Sequence, residues 1–448
     1  MPKSLMLKAC LSIQRSIHYL VPPRTAERFF QFFQIMSDPR NRLETIVAVQ
    51  SNQVWLPQTQ TWIYSQVRNI GTPVESHVIC RRTTNLDQFT VPYIHIMKLE
   101  PWWRRFWNRL QRLSVNEQWQ EFFVRTARRL GARLLHSHFG DVGWCDLEIA
   151  KLAGLKQVVT FYGYDVAHIP DSDPVWRERY RDLFQRVDAV LCEGPHMARE
   201  IVGLGCPPAK VCVHHLGVDI SKIGYLPKRW QPGEVLRVLI AATFVDKKGI
   251  PDALEALGRW QHQQEIQITI IGDAYDNPVS QAEKQRILET IDRHSLGPRV
   301  KLLGFQPHAA LFQEAAQHHI FLSPSRVGAG KSTEGGAPVT IVEMMAAGIL
   351  CVSTTHCDIP NVIQHGVTGL LSPEGDVDAL GTSLQWLVAN PQAWDGMLRA
   401  ARDRVEGQFN ATVQGQRLSA IYAAVIEGND LPGNLDQATR HLNHPVAT

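Results

Sequence analysis

The sequence predicts an α/β protein of two Rossmann-like, doubly wound domains facing each other across a cleft. Three observations carry this. Short apolar runs alternate with amphipathic helical patterns along most of the chain, as strands and crossover helices of a parallel sheet do. The alternation lapses into a Pro- and Gly-containing linker at 225–234 and then restarts. At 448 residues the chain is also too long for one ordinary core, and two domains of roughly 200 residues each are the natural division.

Residues 1–43 form an N-terminal extension. Met6, Cys10, Ile13, Ile17 and Leu20 share a helical face that ends at Pro22-Pro23, a pattern open to two uses, a docking helix or a membrane-surface helix. The first domain, 44–230, has predicted strands at 44–50, 74–80, 93–97, 134–138, 157–162 and 189–192. Helical patterns such as 146–154 and 195–205 lie between them. The second, 231–426, has strands at 236–242, 266–273, 300–304, 320–323, 350–354 and 369–372, then a helix at 378–388. Residues 427–448 are polar with scattered Pro and Gly, and are predicted to be a disordered tail. Ligands of such domains sit at the loops after strand C-terminal ends.

Composition narrows the function. A net charge of +3 is too small to argue for a nucleic-acid partner over the whole surface, and none is expected. Eight cysteines without a C-x-x-C pair fit a reducing cytosol. No apolar run approaches the ~18–20 residues of a membrane span. Lys3, Lys8 and Arg15 interrupt the N-terminal apolar residues and make a poor signal peptide. The expected location is cytoplasmic.

The stretch 320–360 is the chemical centre of the reading. Strand 320–323 ends in Ser323-Pro324-Ser325, and Pro338 is predicted as the first residue of a helix that Gly348 stops. Glu334 and Gly335-Gly336 thus lie on a strand-to-helix loop, where free N–H groups and the helix dipole favour an anion. Gly330-Lys331-Ser332 resembles a phosphate loop but fails on spacing, because Ser325 stands where its first glycine belongs. Lys247-Lys248 follows strand 236–242 and places cations at the same kind of edge, although a surface lysine pair is the commoner meaning of such a pattern. Glu343, mid-helix between Val342 and Met344, is either an exposed-face residue or a ligand to hydroxyls. His136 and His138 are read as facing opposite sides of the strand 134–139, so that one is expected to pack and the other to reach the cleft, with zinc disfavoured for want of further ligands. Asp171 and Asp173, between prolines, read as a solvated turn.

The run 102–113 (WWRRFWNRLQRL) sets Trp103, Phe106, Trp107, Leu110 and Leu113 on one helical face, with Arg104, Arg105, Arg109 and Arg112 on the rest. Two readings stand: an interfacial membrane helix, which would bring the protein to the inner face of the cell membrane, or a helix packing its aromatics on the core.

In order and spacing the segments AATFVDKKG, ITIIGDA, VKLLGF, IFLSPS, EGGAPVTIVEMMAAG, STTHCDIPNVI and HGVTGLLSPEGD resemble the retaining nucleotide-sugar glycosyltransferases of the GT-B fold (glycosyl transferases group 1, family 4 type). LPQTQTWI, HSHFGDVG and TFYGYD are similar to the exopolysaccharide and colanic-acid branch. The resemblance implies transfer of a hexose from a nucleoside-diphosphate sugar to a saccharide or lipid-linked acceptor, without an essential metal or other cofactor. It implies that Glu343 holds the ribose, Glu334 the donor sugar and Lys248 the diphosphate. Gly335, Gly336, Ala337 and Pro338 would admit the phosphates. His138 and Asp165 would act from the opposite domain, with Gln60, Thr61 and Tyr162 on the acceptor side. Departures are visible. Eight residues separate the two glutamates where the family has seven, Thr243 stands at the place of a phosphate-binding arginine, and Tyr162 replaces a frequent histidine. A nucleotide-sugar epimerase on the same fold and a non-catalytic assembly factor are the alternatives.

Overall fold

The computed structural model describes residues 45–57, 60–101, 103–104 and 114–433. Two parallel sheets organise them. The first contains β1 (Ile46–Trp55), β2 (Val74–Thr83), β3 (Ile94–Ile96), β4 (Leu134–His138), β5 (Lys156–Thr160), β6 (Ala189–Cys192) and β7 (Val211–Val213), in the order β3-β2-β1-β4-β5-β6-β7. The second contains β8 (Leu236–Ala241), β9 (Ile266–Ile271), β10 (Val300–Leu302), β11 (Ile320–Ser323), β12 (Leu350–Thr354) and β13 (Leu370–Ser372), in the order β10-β9-β8-β11-β12-β13. Each order reverses once, between β1 and β4 and between β8 and β11. Those reversals open the crevices that open α/β sheets use for ligands.

The strands read as near-continuous apolar runs because helices bury both faces. Val238, Ile240, Ile268 and Ile270 face one core of the second sheet, while Leu239, Phe321 and Cys351 face the other. β1 runs five residues past its predicted end at Gln50, since Ser51, Asn52 and Val54 keep pairing with β2. β7 has no counterpart in the sequence reading. At three residues it is too short for a periodicity, and its pairing with β6 alone holds it in the sheet.

The linear division at 231–426 does not describe the last helix. Ala411–Glu427 crosses back, and its Leu418, Ile421, Tyr422 and Val425 cover Ala48, Leu134, Val158 and Ala189 of the first sheet. Its pattern marks an apolar face without saying which sheet that face covers. Leu431 joins the same cluster, so the predicted tail contains a packed residue near its start. The extension 1–43 and the tail from 434 lie outside the described residues. So do Arg105, Phe106, Trp107 and Arg109 of the aromatic–basic run. Of that run, Trp103 is described and is 45% exposed, with the Arg104 guanidinium 4.7 Å from its ring centre. No described helix is long and apolar enough to cross a membrane.

Candidate active site

The C-terminal ends of the two sheets meet around a cavity of about 560 Å³, lined from one side by Trp62, Tyr162, His168 and Glu193 and from the other by Lys247, Lys248, Glu334 and Pro338. Two loops close on each other at its floor. Gly163, after β5, has φ +100°, and Gly335, after β11, has φ +79°. A Cβ on Gly335 would lie 2.3 Å from the Gly163 Cα, and one on Gly163 would lie 2.7 Å from the Gly335 Cα. Both positions therefore require glycine twice over, for the left-handed backbone and for the contact. Gly335→Ala is expected to cost about 1–3 kcal/mol from its backbone strain alone. Pushing the loops apart should remove most activity as well. Gly381→Ala, on the helix Val377–Ala389 with open space around it, is the control, and thermal denaturation of the two variants checks the difference.

Glu334 is the most constrained carboxylate in the cavity. Its side chain is 7% exposed, with Lys248 Nζ at 2.8 Å and Lys247 Nζ at 3.6 Å. The Ser325 hydroxyl donates to its Oε1 at 2.8 Å. Burial alone would push this carboxyl up, but the two ammonium groups, with the hydrogen bonds from Lys248 and Ser325, hold it down at about 2. Its backbone N–H donates to His356 Nε2 at 3.2 Å, which assigns the His356 proton to Nδ1, 2.8 Å from Glu374 Oε2. A buried histidine and an acid beyond it thus aim the loop that carries Glu334.

The Gly335-Gly336-Ala337-Pro338 loop runs into the helix Val339–Ala347. Pro338 caps this helix from outside, at ψ 126°, and is not its first residue as predicted. The first helical N–H groups point toward the cavity end with no side-chain cap, leaving the positive dipole end uncovered. A Cβ on Gly336 would meet Glu193 Oε2 at 1.9 Å, so the glycine lets that acid approach the loop.

His138 and Asp165 are elsewhere. Both histidines of β4 are buried on one face with ring centres 4.4 Å apart, because residues two apart on a strand share a face. The expectation that one of them reaches the cleft fails. His138 sits beneath Tyr162, its Nδ1 2.7 Å from the Tyr162 hydroxyl and its Nε2 3.2 Å from Gln50 Oε1. Burial lowers it to about 3, so it is neutral. Asp165 is wholly buried and accepts from the Gly140 N–H at 2.8 Å and the Tyr162 N–H at 2.9 Å, tying the loops after β4 and β5 together. Burial raises its carboxyl to about 7 against those two hydrogen bonds. Neither side chain lines the cavity; Tyr162, which both support, does.

The architecture is shared with solved glycosyltransferase structures. Anabaena HepE in complex with UDP superposes with a TM-score of 0.67 at 16% identity, over 85% of this chain and all of that one. The sequence comparisons decide the family. Residues 227–404 match the model described as glycosyl transferases group 1, and 67–222 match glycosyltransferase family 4. The amylovoran biosynthesis glycosyltransferase AmsK of Erwinia amylovora is 32% identical over 289 residues, 63% of this chain and 68% of AmsK. The chain belongs to the group 1 glycosyl transferases. A candidate colanic acid biosynthesis glycosyltransferase, WcaL of Salmonella typhimurium, is 27% identical over 64% of this transferase and 70% of its own length. The fold is GT-B, as predicted.

The transferase spreads the remaining predicted residues unevenly. Glu343 lies one turn beyond Val339 on the same helix, 12% exposed, with His308 Nε2 2.8 Å from its Oε1. Thr243 sits on the loop after β8, accepting from the Val245 N–H at 2.9 Å, and does not line the cavity. The second cation beside Lys248 is Lys247, whose Nζ also donates to the Thr333 carbonyl at 2.7 Å. Gln60 and Thr61 open the helix Thr61–Asn69, but the next residue, Trp62, is the one that lines the cavity. Sequence reasoning missed Glu193, His356 and Trp62. Glu193 directly follows the apolar run of β6, so its place at a strand's C-terminal end was the available signal.

Proposed function

We propose that this enzyme transfers a hexose, with retention at the anomeric carbon, from a nucleoside-diphosphate sugar to a lipid-linked saccharide in the assembly of a cell-surface polysaccharide. The observation that carries the reading is the Glu334–Lys247–Lys248 cluster beside the uncapped helix end, in a cavity lined by both sheets. The relatives named for amylovoran and colanic acid biosynthesis support the pathway class, and HepE structures holding UDP and UDP-glucose support the donor class.

In this reading the bond from the anomeric carbon to the leaving phosphate oxygen breaks while the acceptor oxygen bonds to the same face. The acceptor proton passes to the departing phosphate. Lys247, Lys248 and the N-terminus of Val339–Ala347 take up the charge that develops on the diphosphate. Glu334 faces the sugar, and Glu343 accepts from the ribose hydroxyls after exchanging its His308 contact. Thermal shift across nucleotides and nucleotide sugars identifies the donor, since a ligand that binds only the folded state stabilises it. Product analysis by NMR then reads the anomeric configuration, and an inverted product would overturn the assignment. The cations do the work of a metal here, so transfer should survive EDTA; loss restored by manganese would count against this part.

Glu193 adds a pH signature. Burial, with Asp358, Asp165 and Glu334 nearby, pushes its carboxyl well above the usual carboxylate range and favours the neutral form. Raising the pH through its pKa would place a negative charge in the cavity that takes the diphosphate. Activity should therefore fall as pH rises through that raised pKa in the wild type, and Glu193→Gln, which stays neutral, should flatten that limb. An unchanged alkaline limb in the variant would remove Glu193 from the site.

A further inference from the structure

A second cavity, of about 470 Å³, opens where β1, β2 and β3 end, and Arg81, Arg82 and Lys98 line it with Gln53 and Gln118. Its one acid, Glu100, is already held by Arg125. The Arg81 guanidinium is fixed from behind: Nη2 donates to Asn116 Oδ1 at 3.1 Å, and the group lies 5.2 Å over the Trp119 ring. Its Nε–H is buried without an acceptor. Among the described residues, Arg82 and Lys98 make no ion pair or side-chain hydrogen bond. The buried Asp146 offsets part of the Arg81 charge from behind, and among the described residues Arg82 and Lys98 have no paired carboxylate. Three cations thus share one concavity at the C-terminal ends of their strands, the side of an α/β sheet on which ligands bind.

We propose that this pocket binds the diphosphate of the lipid-linked acceptor, a role that rests on the acceptor class proposed above. Several converging cations suit a diphosphate better than a single phosphodiester, because each can make its own charge-assisted hydrogen bond. The placement fits as well. In the order β2-β1-β4-β5 the pocket lies three strands from the Tyr162 loop, roughly 15 Å at the usual strand spacing. A diphosphate and a short saccharide bridge that distance, so the sugar end reaches the main cavity while the phosphates stay at the Arg81 pocket. Trp103, exposed and three residues past Glu100, offers the lipid an amphipathic ring.

The test uses the full chain and inorganic pyrophosphate, followed by calorimetry. Arg82→Gln/Lys98→Gln spares Arg81, which packs on Trp119, and circular dichroism confirms folding. This variant should weaken one pyrophosphate site at least tenfold and leave intact the site that Lys247→Gln/Lys248→Gln removes. Sedimentation with phosphatidylcholine vesicles then separates the sources. Wild type should prefer vesicles carrying a polyprenyl diphosphate over vesicles of equal charge made with phosphatidylglycerol, and the variant should lose that preference. Unchanged pyrophosphate binding in Arg82→Gln/Lys98→Gln, or equal partition of the wild type between the two vesicles, overturns the proposal. Unchanged binding in Lys247→Gln/Lys248→Gln counts instead against the main-cavity reading and leaves this pocket standing.

Discussion

Glu334→Gln should lower sugar transfer by about a thousandfold, the scale of losing one preorganised electrostatic contact in an active site, while donor affinity holds or rises. The split follows from the ion pair. In the free enzyme Glu334 occupies the Lys248 ammonium at 2.8 Å and competes with any phosphate for it. Glutamine keeps the shape and the Ser325 contact but releases both lysines, so the diphosphate meets less competition. The carboxylate proposed to face the sugar is lost, and turnover falls with it. Initial-rate kinetics and calorimetry with the donor read the two effects separately. A parallel loss of affinity and rate would mean that Glu334 only shapes the loop. His356, whose Nε2 accepts the Glu334 N–H, is the residue to examine in that case.

Lys248→Gln should have the opposite signature, with donor affinity falling about 10- to 100-fold, as expected for a charged hydrogen bond worth roughly 1.5–3 kcal/mol. It should also move the acid limb of the rate profile. Glu334 is held at about 2 against its burial largely by Lys248, and then by Lys247. Removing the first cation lets burial raise the carboxyl, so activity that depends on the ionised form is lost at higher pH than in the wild type. Stability follows the same sign. A carboxylate depressed on folding stabilises the protein above its unfolded pKa and loses that contribution as pH falls toward its folded value. For wild-type Glu334 the window runs from the ordinary glutamate range down to about 2, and the variant should lose the contribution. Denaturant titration of both proteins from pH 6 to pH 3 measures it.

How much of this was legible beforehand depends on the range of the interaction. Twelve strands and the linker between the sheets were visible because parallel strands buried on both faces write their burial as unbroken apolar runs. The loop Glu334–Pro338 was visible for a local reason: glycines and a proline between a strand and a helix mark where a backbone can approach an anion. Pro338 was misplaced by one position, since a proline with ψ 126° and the first residue of a helix look alike in sequence.

What the chain's local pattern could not carry is the set of contacts that cross it. The pairing of Gly163 with Gly335, across 172 positions in sequence, needs both loops in place before either glycine has its reason. Asp358 looks like any loop aspartate until it is seen to accept from the His196 and Met197 N–H groups at 2.7 and 3.2 Å, capping a helix of the other sheet. His138 was given a catalytic place by its neighbours in sequence, yet the fold covers it with Tyr162 and satisfies both ring nitrogens. Sequence by itself determined the fold class and the place of the Gly-rich loop between a strand and a helix, because periodicity and turn chemistry act over a few residues. The roles proposed for Glu334 and Lys248 came from the family resemblance and not from local pattern. The tertiary structure alone decided which side chains reach the cavity, which acids burial pushes toward the neutral form, and that Lys247 stands with Lys248 at Glu334. Burial and Coulomb attraction act between residues the chain brings together only when folded.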